Sequence, residues 1–275
     1  MAWTRVVHLA STDSTNTHLM RALTAGPGEW PHLSVVVADA QTAGRGRAGR
    51  AWHSRPGESL TASVVLRLDD DAAPPVTWVP LLVGVAVRRA LARWVPTVLK
   101  WPNDVLLATD SAEGAAPPDR SRAFHGEGGP VGSAEGAAAS WGWTPKLGGI
   151  LCELHPSGAV VAGVGINCRT SREDLPVPWA ASIATATGGS PAPLDVLEAL
   201  GEALPAVLAD WAGHAARVRA EYEEACVVVG EQVTVTGGHG PTEGRAVGIG
   251  LDGALLVDTA RGRLEVTAGD VEHVR

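Results

Sequence analysis

Lysine, asparagine and glutamine are nearly missing from this sequence. Lysine stands only at Lys100 and Lys146, asparagine at Asn16, Asn103 and Asn167, and glutamine at Gln41 and Gln232. A bias toward arginine explains the rarity of lysine. It does not explain the positions, because six of these seven residues fall inside five short motifs. Cysteine is scarce too. Cys152, Cys168 and Cys226 are odd in number and widely spaced, so they form no metal pattern and fit a reducing compartment. No apolar run reaches the length of a membrane span. Met1 to Leu9 carries Arg5 and His8 and has no long apolar core, so it is not read as a signal peptide and a cytoplasmic location is expected. Basic residues are outnumbered, and the net charge of -8 argues against a general affinity for nucleic acid. What remains is an ordinary globular composition, 45% hydrophobic and 19% charged, over 275 residues. That is enough chain for one large domain and a small one.

The most informative stretch runs from Gln41 to Arg50. Between Gly44 and Arg50 lie three glycines and three arginines in seven residues. Glycine lets the backbone pass close to a ligand at φ values that other residues avoid. Arginine is a permanent cation whose planar fork pairs with carboxylate or phosphate. A flexible basic loop of this kind suits a small polyanion. No Gly-Lys-Ser/Thr closes it as in a Walker A loop, and it lacks the context of a dinucleotide fingerprint. The alternative for the loop alone is a solvated basic turn.

Periodicity and turn residues predict the elements in order. A helix is expected over Ser11 to Leu23, with Ser14 or Thr15 able to cap it. Such a helix start also offers N–H groups and hydroxyls to a polar ligand. Strands are expected at Ser34–Ala38 and Leu60–Leu68, then a helix at Thr77–Trp94, then strands at Val98–Trp101 and Val105–Leu107. Pro102 between the last two presents Asn103 and Asp104 in a turn. Residues 109–145 contain 19 Gly, Ala or Pro and read as a long flexible insertion, with Trp141 and Trp143 near its end. Lys146–Glu153 and Gly158–Gly165 read as a strand hairpin. Its glycines allow either close strand packing or a narrow slot for a flat bicyclic ring, and Lys146 and Asn167 beside them favour the slot. A short helix is expected at Trp179–Thr187. Leu194–Ala225 reads as helix, broken near Trp211 to Gly213 and kinked at Pro205. After Gly230, short β-rich runs between Gly and Asp turns predict a small β-barrel. The expected division is a catalytic part over 1–228 and the barrel over 229–275.

Five motifs in this order carry a resemblance: Asp13-Ser14-Thr15-Asn16, the arginine loop, Lys100-Trp101-Pro102-Asn103-Asp104, Lys146-Leu147-Gly148-Gly149-Ile150-Leu151-Cys152-Glu153, and Gly163-Val164-Gly165-Ile166-Asn167. Together they resemble the biotin protein ligases, from Asp13 to the C-terminus. The insertion departs from the family, in which a short hairpin would stand. The resemblance implies an α+β fold: a mixed, mainly antiparallel sheet flanked by helices, similar to class II aminoacyl-tRNA synthetases and biotin synthetases, with a Src-homology-3-like β-barrel at the C-terminus. It implies ATP and biotin as substrates, with magnesium, whose ligands it leaves open. The implied partner is the biotin carboxyl carrier protein domain of a biotin-dependent carboxylase, with no nucleic acid or membrane partner. The oligomeric state stays open.

The implied chemistry joins the biotin carboxylate to AMP, then transfers biotin to a carrier lysine. A carboxylate is already ionised at neutral pH, so the first step needs cations and donors rather than a side-chain nucleophile. The resemblance places Ser14, Thr15, Asn16, Gln41, Arg45, Gly46, Arg47 and Lys146 on biotin or its adenylate. Gly44 belongs to the same loop, and Gly149, Gly163, Gly165 and Asn167 to the slot. Arg47, Arg50 and Lys146 are the catalytic candidates. Asn103 and Asp104 are expected near the nucleotide. Trp179 stacks on adenine or fills core. Alternatives are a lipoate–protein ligase, or a biotin-responsive repressor or sensing module. With the first motif at Asp13, an N-terminal winged helix is not expected.

Overall fold

A computed structural model describes residues 3–68, 72–108, 144–237 and 240–273. The expected insertion, including Trp141 and Trp143, lies almost wholly outside the described residues. The chain enters as strand β1 (Arg5–Leu9), which sequence periodicity does not mark. β1 lies at the sheet edge, parallel to β2 (Ser34–Ala38). Helix α1 (Thr15–Ala25) crosses between them. Ser14 occupies its N-cap without a capping bond from its side chain; its backbone carbonyl accepts from His18 N at 2.8 Å. The strands β3 (Ser59–Leu66), β4 (Thr97–Lys100), β5 (Asp104–Leu107), β6 (Lys146–Leu154) and β7 (Val160–Asn167) complete a seven-stranded sheet in the order β1-β2-β3-β7-β6-β5-β4. Every pairing beyond β1–β2 is antiparallel.

Period-2 alternation divides this sheet into two faces. Leu60, Ala62, Val64 and Leu66 of β3 and Val160, Ala162, Val164 and Ile166 of β7 point into the main core. Helix α2 (Val79–Leu91) covers that face and packs against α4 (Pro193–Ala225), which follows the short α3 (Ile183–Thr187) in the chain. Arg89 of α2 fixes the pair by reaching Asp210 at 2.8 Å and Glu221 at 2.5 Å. The sequence suggested a kink at Pro205. The helix instead runs through Pro205, and the break expected near Trp211 to Gly213 falls at His214 (φ -149°, ψ 51°). The opposite sheet face carries a smaller cluster, in which Leu19 and Leu23 of α1 meet Val36, Val65 and Val161. α1 covers only part of that face. The uncovered remainder bears Thr61, Gly163, Gly165 and Asn167, and it faces a cleft.

The C-terminal part is a five-stranded antiparallel sheet of the expected small-barrel kind. It contains β8 (Gln232–Gly237), β9 (Gly240–Ile249), β10 (Leu255–Thr259), β11 (Gly262–Val266) and β12 (Asp270–His273), in the order β11-β10-β9-β8-β12. β12 has no counterpart among the expected strands. Two buried tryptophans dock this part on the larger one. Trp78 Nε1 donates to Leu251 O at 3.0 Å, and Trp101 Nε1 donates to Gly253 O at 3.1 Å. An indole buried in a core needs such an acceptor, and the β9–β10 turn supplies it.

Candidate active site

The partly uncovered sheet face floors a cleft of about 870 Å³. Its lining includes Ser14, Thr15, Asn16, Gln41, Arg45, Gly46, Arg47, Arg50, Asn103, Lys146, Gly149, Gly163, Gly165, Asn167 and Trp179. Five different segments of the fold deliver them: the start of α1, the loop after β2, the β4–β5 turn, the β6–β7 hairpin and the loop before α3. Two expected site residues, Gly44 and Asp104, stand behind the lining. A side chain on Gly44 would strike the Trp52 carbonyl oxygen and approach Gln41 Nε2 to 3.0 Å. Gly44 therefore allows close passage of two chain segments. Asp104 lies behind Lys146, whose Nζ donates to Asp104 Oδ1 at 2.5 Å.

One wall is the first turn of α1. Thr15 donates to Gln41 Oε1 from its backbone N at 2.8 Å and from its hydroxyl at 3.2 Å, which fixes the carboxamide of Gln41. Asn16 is almost wholly buried and its amide is fully engaged. Nδ2 donates to Leu151 O at 3.0 Å and to Glu153 Oε2 at 2.8 Å, while Oδ1 lies 2.5 Å from Ser63 Oγ. Asn16 thus holds the cleft together as well as lining it.

The facing wall is the arginine loop. It closes on itself through Gly46 N to Arg50 O at 2.7 Å and Arg50 N to Arg47 O at 3.1 Å. Ala48 (φ 53°) and Gly49 (φ 74°) turn the backbone through the left-handed region. The arginines then diverge. Arg45 meets Glu153 of β6 at 2.5 Å. Arg47 Nη1 donates to Asn103 Oδ1 at 3.3 Å and reaches Gly269 O at 3.5 Å. Arg50 meets Asp270 of β12 at 3.1 Å. Burial lowers the pKa of Arg47, offset in part by Asp270, but a guanidinium stays charged at any pH of interest.

The floor contains the least foreseeable feature. β5 and β6 pair Val105 with Gly148 and Leu106 with Lys146, so Leu147 is an extra, bulged residue. The bulge shifts the alternation by one. Leu147 and Gly148 both point to the core side, and Lys146 joins Gly149 on the cleft side. Asp104 feels burial first, which raises its pKa, but Lys146 and Lys100 outweigh that and hold it below its ordinary value. Lys100 sits opposite Asp104 in the β4–β5 pairing, and its own burial lowers its pKa. The glycines do not leave an empty slot between strands. Gly165 lies under the ring of Trp52, where an added Cβ would come within 2.6 Å of the indole, and Gly163 lies against Asn16. Trp52 also lines the cleft, and its Nε1 is buried with no hydrogen-bond partner. Trp52 follows the arginine loop in sequence, and an aromatic just after a ligand loop is the available signal. Trp179 half-lines the far end and takes a hydrogen bond from Lys146 N on its carbonyl at 2.7 Å. Asn167 is anchored by Nδ2 to Ala181 O at 2.9 Å.

Among the described residues no group of three or more His, Cys, Asp or Glu side chains is arranged to hold a metal. Burial pushes the Cys152 thiol up to about 12, so at neutral pH it is not a thiolate nucleophile. The site offers fixed cations and polar groups over a glycine floor, suited to binding and charge stabilisation rather than covalent catalysis.

Residues 9–171 match the biotin/lipoate A/B protein ligase family. The chain belongs to that family. It is a ligase, and residues 228–274 match the biotin protein ligase C-terminal domain. A biotin–[acetyl-CoA-carboxylase] ligase of Mycobacterium tuberculosis is 29% identical, over 99% of this chain and 90% of that protein. The bifunctional ligase/repressor BirA of Bacillus spizizenii is 28% identical, over 88% of this chain and 66% of the relative. Among solved structures, the biotin protein ligase from Aquifex aeolicus in complex with biotin and ATP superposes with a TM-score of 0.72 at 25% identity, over 99% of this chain and all of that one. The fold is therefore that of the biotin protein ligases. No helix among the described residues is long and apolar enough to cross a membrane.

Proposed function

We propose that this ligase activates biotin with ATP and transfers it to a lysine of a carrier protein, the biotin carboxyl carrier domain of a carboxylase. The observation that carries the reading is the cleft's polarity. Neutral donors and acceptors at Ser14, Thr15 and Gln41 line it together with Arg45, Arg47, Arg50 and Lys146. A ureido ring needs both donors and acceptors, which a dithiolane ring does not. A carboxylate meeting a triphosphate needs cations. The relatives named as biotin ligases, and the Aquifex enzyme described with biotin and ATP, support the same substrates.

In the first step a biotin carboxylate oxygen bonds to the α-phosphorus. The bond to the bridging oxygen breaks, and pyrophosphate leaves with the electron pair. Lys146 is the cation placed between the two reacting anions. Asp104 positions it, and Asn103 positions Arg47 through the bond to Oδ1. Arg47 and Arg50 counter the phosphate charge. In the second step the carrier amine bonds to the carbonyl carbon, AMP departs, and the amine loses a proton. Magnesium would enter with the nucleotide, because the carboxylates of Asp104, Glu153 and Asp270 are each engaged by a cation. Trp52 and Trp179 are the aromatic surfaces available to the adenine. The test is ATP–pyrophosphate exchange with biotin or lipoate as the acid. Exchange with biotin alone is expected, and exchange driven by lipoate would move the chain to the other branch of its family.

A further inference from the structure

Glu153 takes no part in the chemistry above, yet it holds two walls of the cleft. One carboxylate oxygen, Oε2, receives Arg45 Nη2 at 2.5 Å and Asn16 Nδ2 at 2.8 Å. Asn16 belongs to the first turn of α1, Arg45 to the arginine loop, and Glu153 itself to the floor strand β6. The three are more than a hundred residues apart in sequence in two of the three pairings. Glu153 does not line the cleft. It lines an adjoining smaller cavity of about 390 Å³, and Arg45 lines both. The carboxylate therefore fixes one end of the Arg45 guanidinium. A guanidinium has five donors in a rigid plane, so fixing one edge aims the others. The pair also removes one net charge from a loop of three arginines, which lowers the cost of holding them together.

We propose that Glu153 is a positioning residue that aims Arg45 into the cleft and ties the loop to the start of α1. The proposal rests on the biotin reading for its kinetic test, and it makes a second claim about the free enzyme that does not. Glu153→Ala should raise the KM for biotin at least tenfold with a smaller change in kcat. If Glu153 acts through Arg45, the same substitution in an Arg45→Ala background should change KM by less than twofold, the coupling expected of residues in one network. Glu153→Gln, which keeps an acceptor for Asn16 but loses the charge, should fall between wild type and Glu153→Ala. In the free enzyme, amide hydrogen exchange at Gly46 and Trp52 should quicken in Glu153→Ala, because both amides close the loop. Wild-type exchange that does not depend on biotin would remove the substrate reading and leave the hydrogen-exchange arm to decide this one. An unchanged KM, an equal effect in both backgrounds, or unchanged loop exchange would each overturn the positioning role.

Discussion

The two faces of strands β3, β7 and β6 share a backbone and differ in almost everything else. Toward the helices, Leu60, Ala62, Val164 and Ile166 belong to the main apolar core. Toward the cleft, the neighbouring positions are Thr61, Ser63, Gly163, Gly165 and Asn167. The core face is filled by its own side chains. On the cleft face Gly163 and Gly165 contribute no side chain, so Asn16 and Trp52 from elsewhere can lie on the backbone. The difference teaches that, where α1 leaves the sheet uncovered, stability resides at one parity of residue and ligand chemistry at the other.

Substitutions at the two parities should therefore separate stability from activity. The largest expected loss is on the core face. Leu60→Ala should cost about 2–5 kcal/mol of stability in denaturant titration. The fraction that remains folded should bind biotin normally, and a change in affinity would break the comparison. Next is Lys146→Ala, expected to slow adenylate formation about a hundredfold or more, the scale of one lost transition-state charge contact. Because it also strips the Asp104 carboxylate of its ion-pair partner, its melting temperature should fall, but by less than that of Leu60→Ala. Lys146→Arg should recover only part, because the broader fork is not a point charge. Single-turnover formation of biotinyl-AMP is the measurement, and a wild-type rate in Lys146→Ala would remove the residue from the mechanism.

Gly165→Ala is smaller. Its Cβ would sit 2.6 Å from the Trp52 indole and must push the ring away, an overpacking cost of about 1–3 kcal/mol that should appear as a raised KM. A pH titration sharpens the contrast further. Asp104 has a folded pKa below its unfolded 3.8, so its contribution to stability is complete above that value. It is lost only as pH falls through the depressed folded pKa. Wild type should accordingly lose stability relative to Asp104→Asn below about pH 4 and not between pH 5 and 8. The smallest effect should follow replacement of residues 109–143 by a short turn. Leu107 N already donates to Pro145 O at 2.9 Å, so the flanking chain ends are adjacent, and biotinyl-AMP formation should stay within a few-fold of normal. A larger drop in a folded variant would make that segment part of the site.

Much of this arrangement is legible in the chain. Alternation in β3 and β7, the apolar stripe of α2 and the Gly–Asp turns of the C-terminal part each follow from local patterning. β1 is not legible, because Arg5–Leu9 is a short edge strand whose pairing with Ser34–Ala38 is parallel and remote. The break in α4 is legible near Trp211 to Gly213, one residue before the departure at His214, whereas the kink expected at Pro205 is not found. The departure comes where the helix must follow the core through Trp211 and Val218.

By itself the sequence determined which residues could do chemistry: three arginines on glycine hinges, two lysines, and the few amides, all in short motifs whose spacing is local. Tertiary structure decided where they point. Simple alternation along β6 would turn Lys146 into the core; the bulge at Leu147 turns it to the cleft, and a bulge arises only when two strands are paired. Glu153 and Asp270 become partners of Arg45 and Arg50 across 108 and 220 residues of chain. Charges that far apart in sequence attract only after packing has brought their strands together, so no pattern in the sequence could have named the pairs.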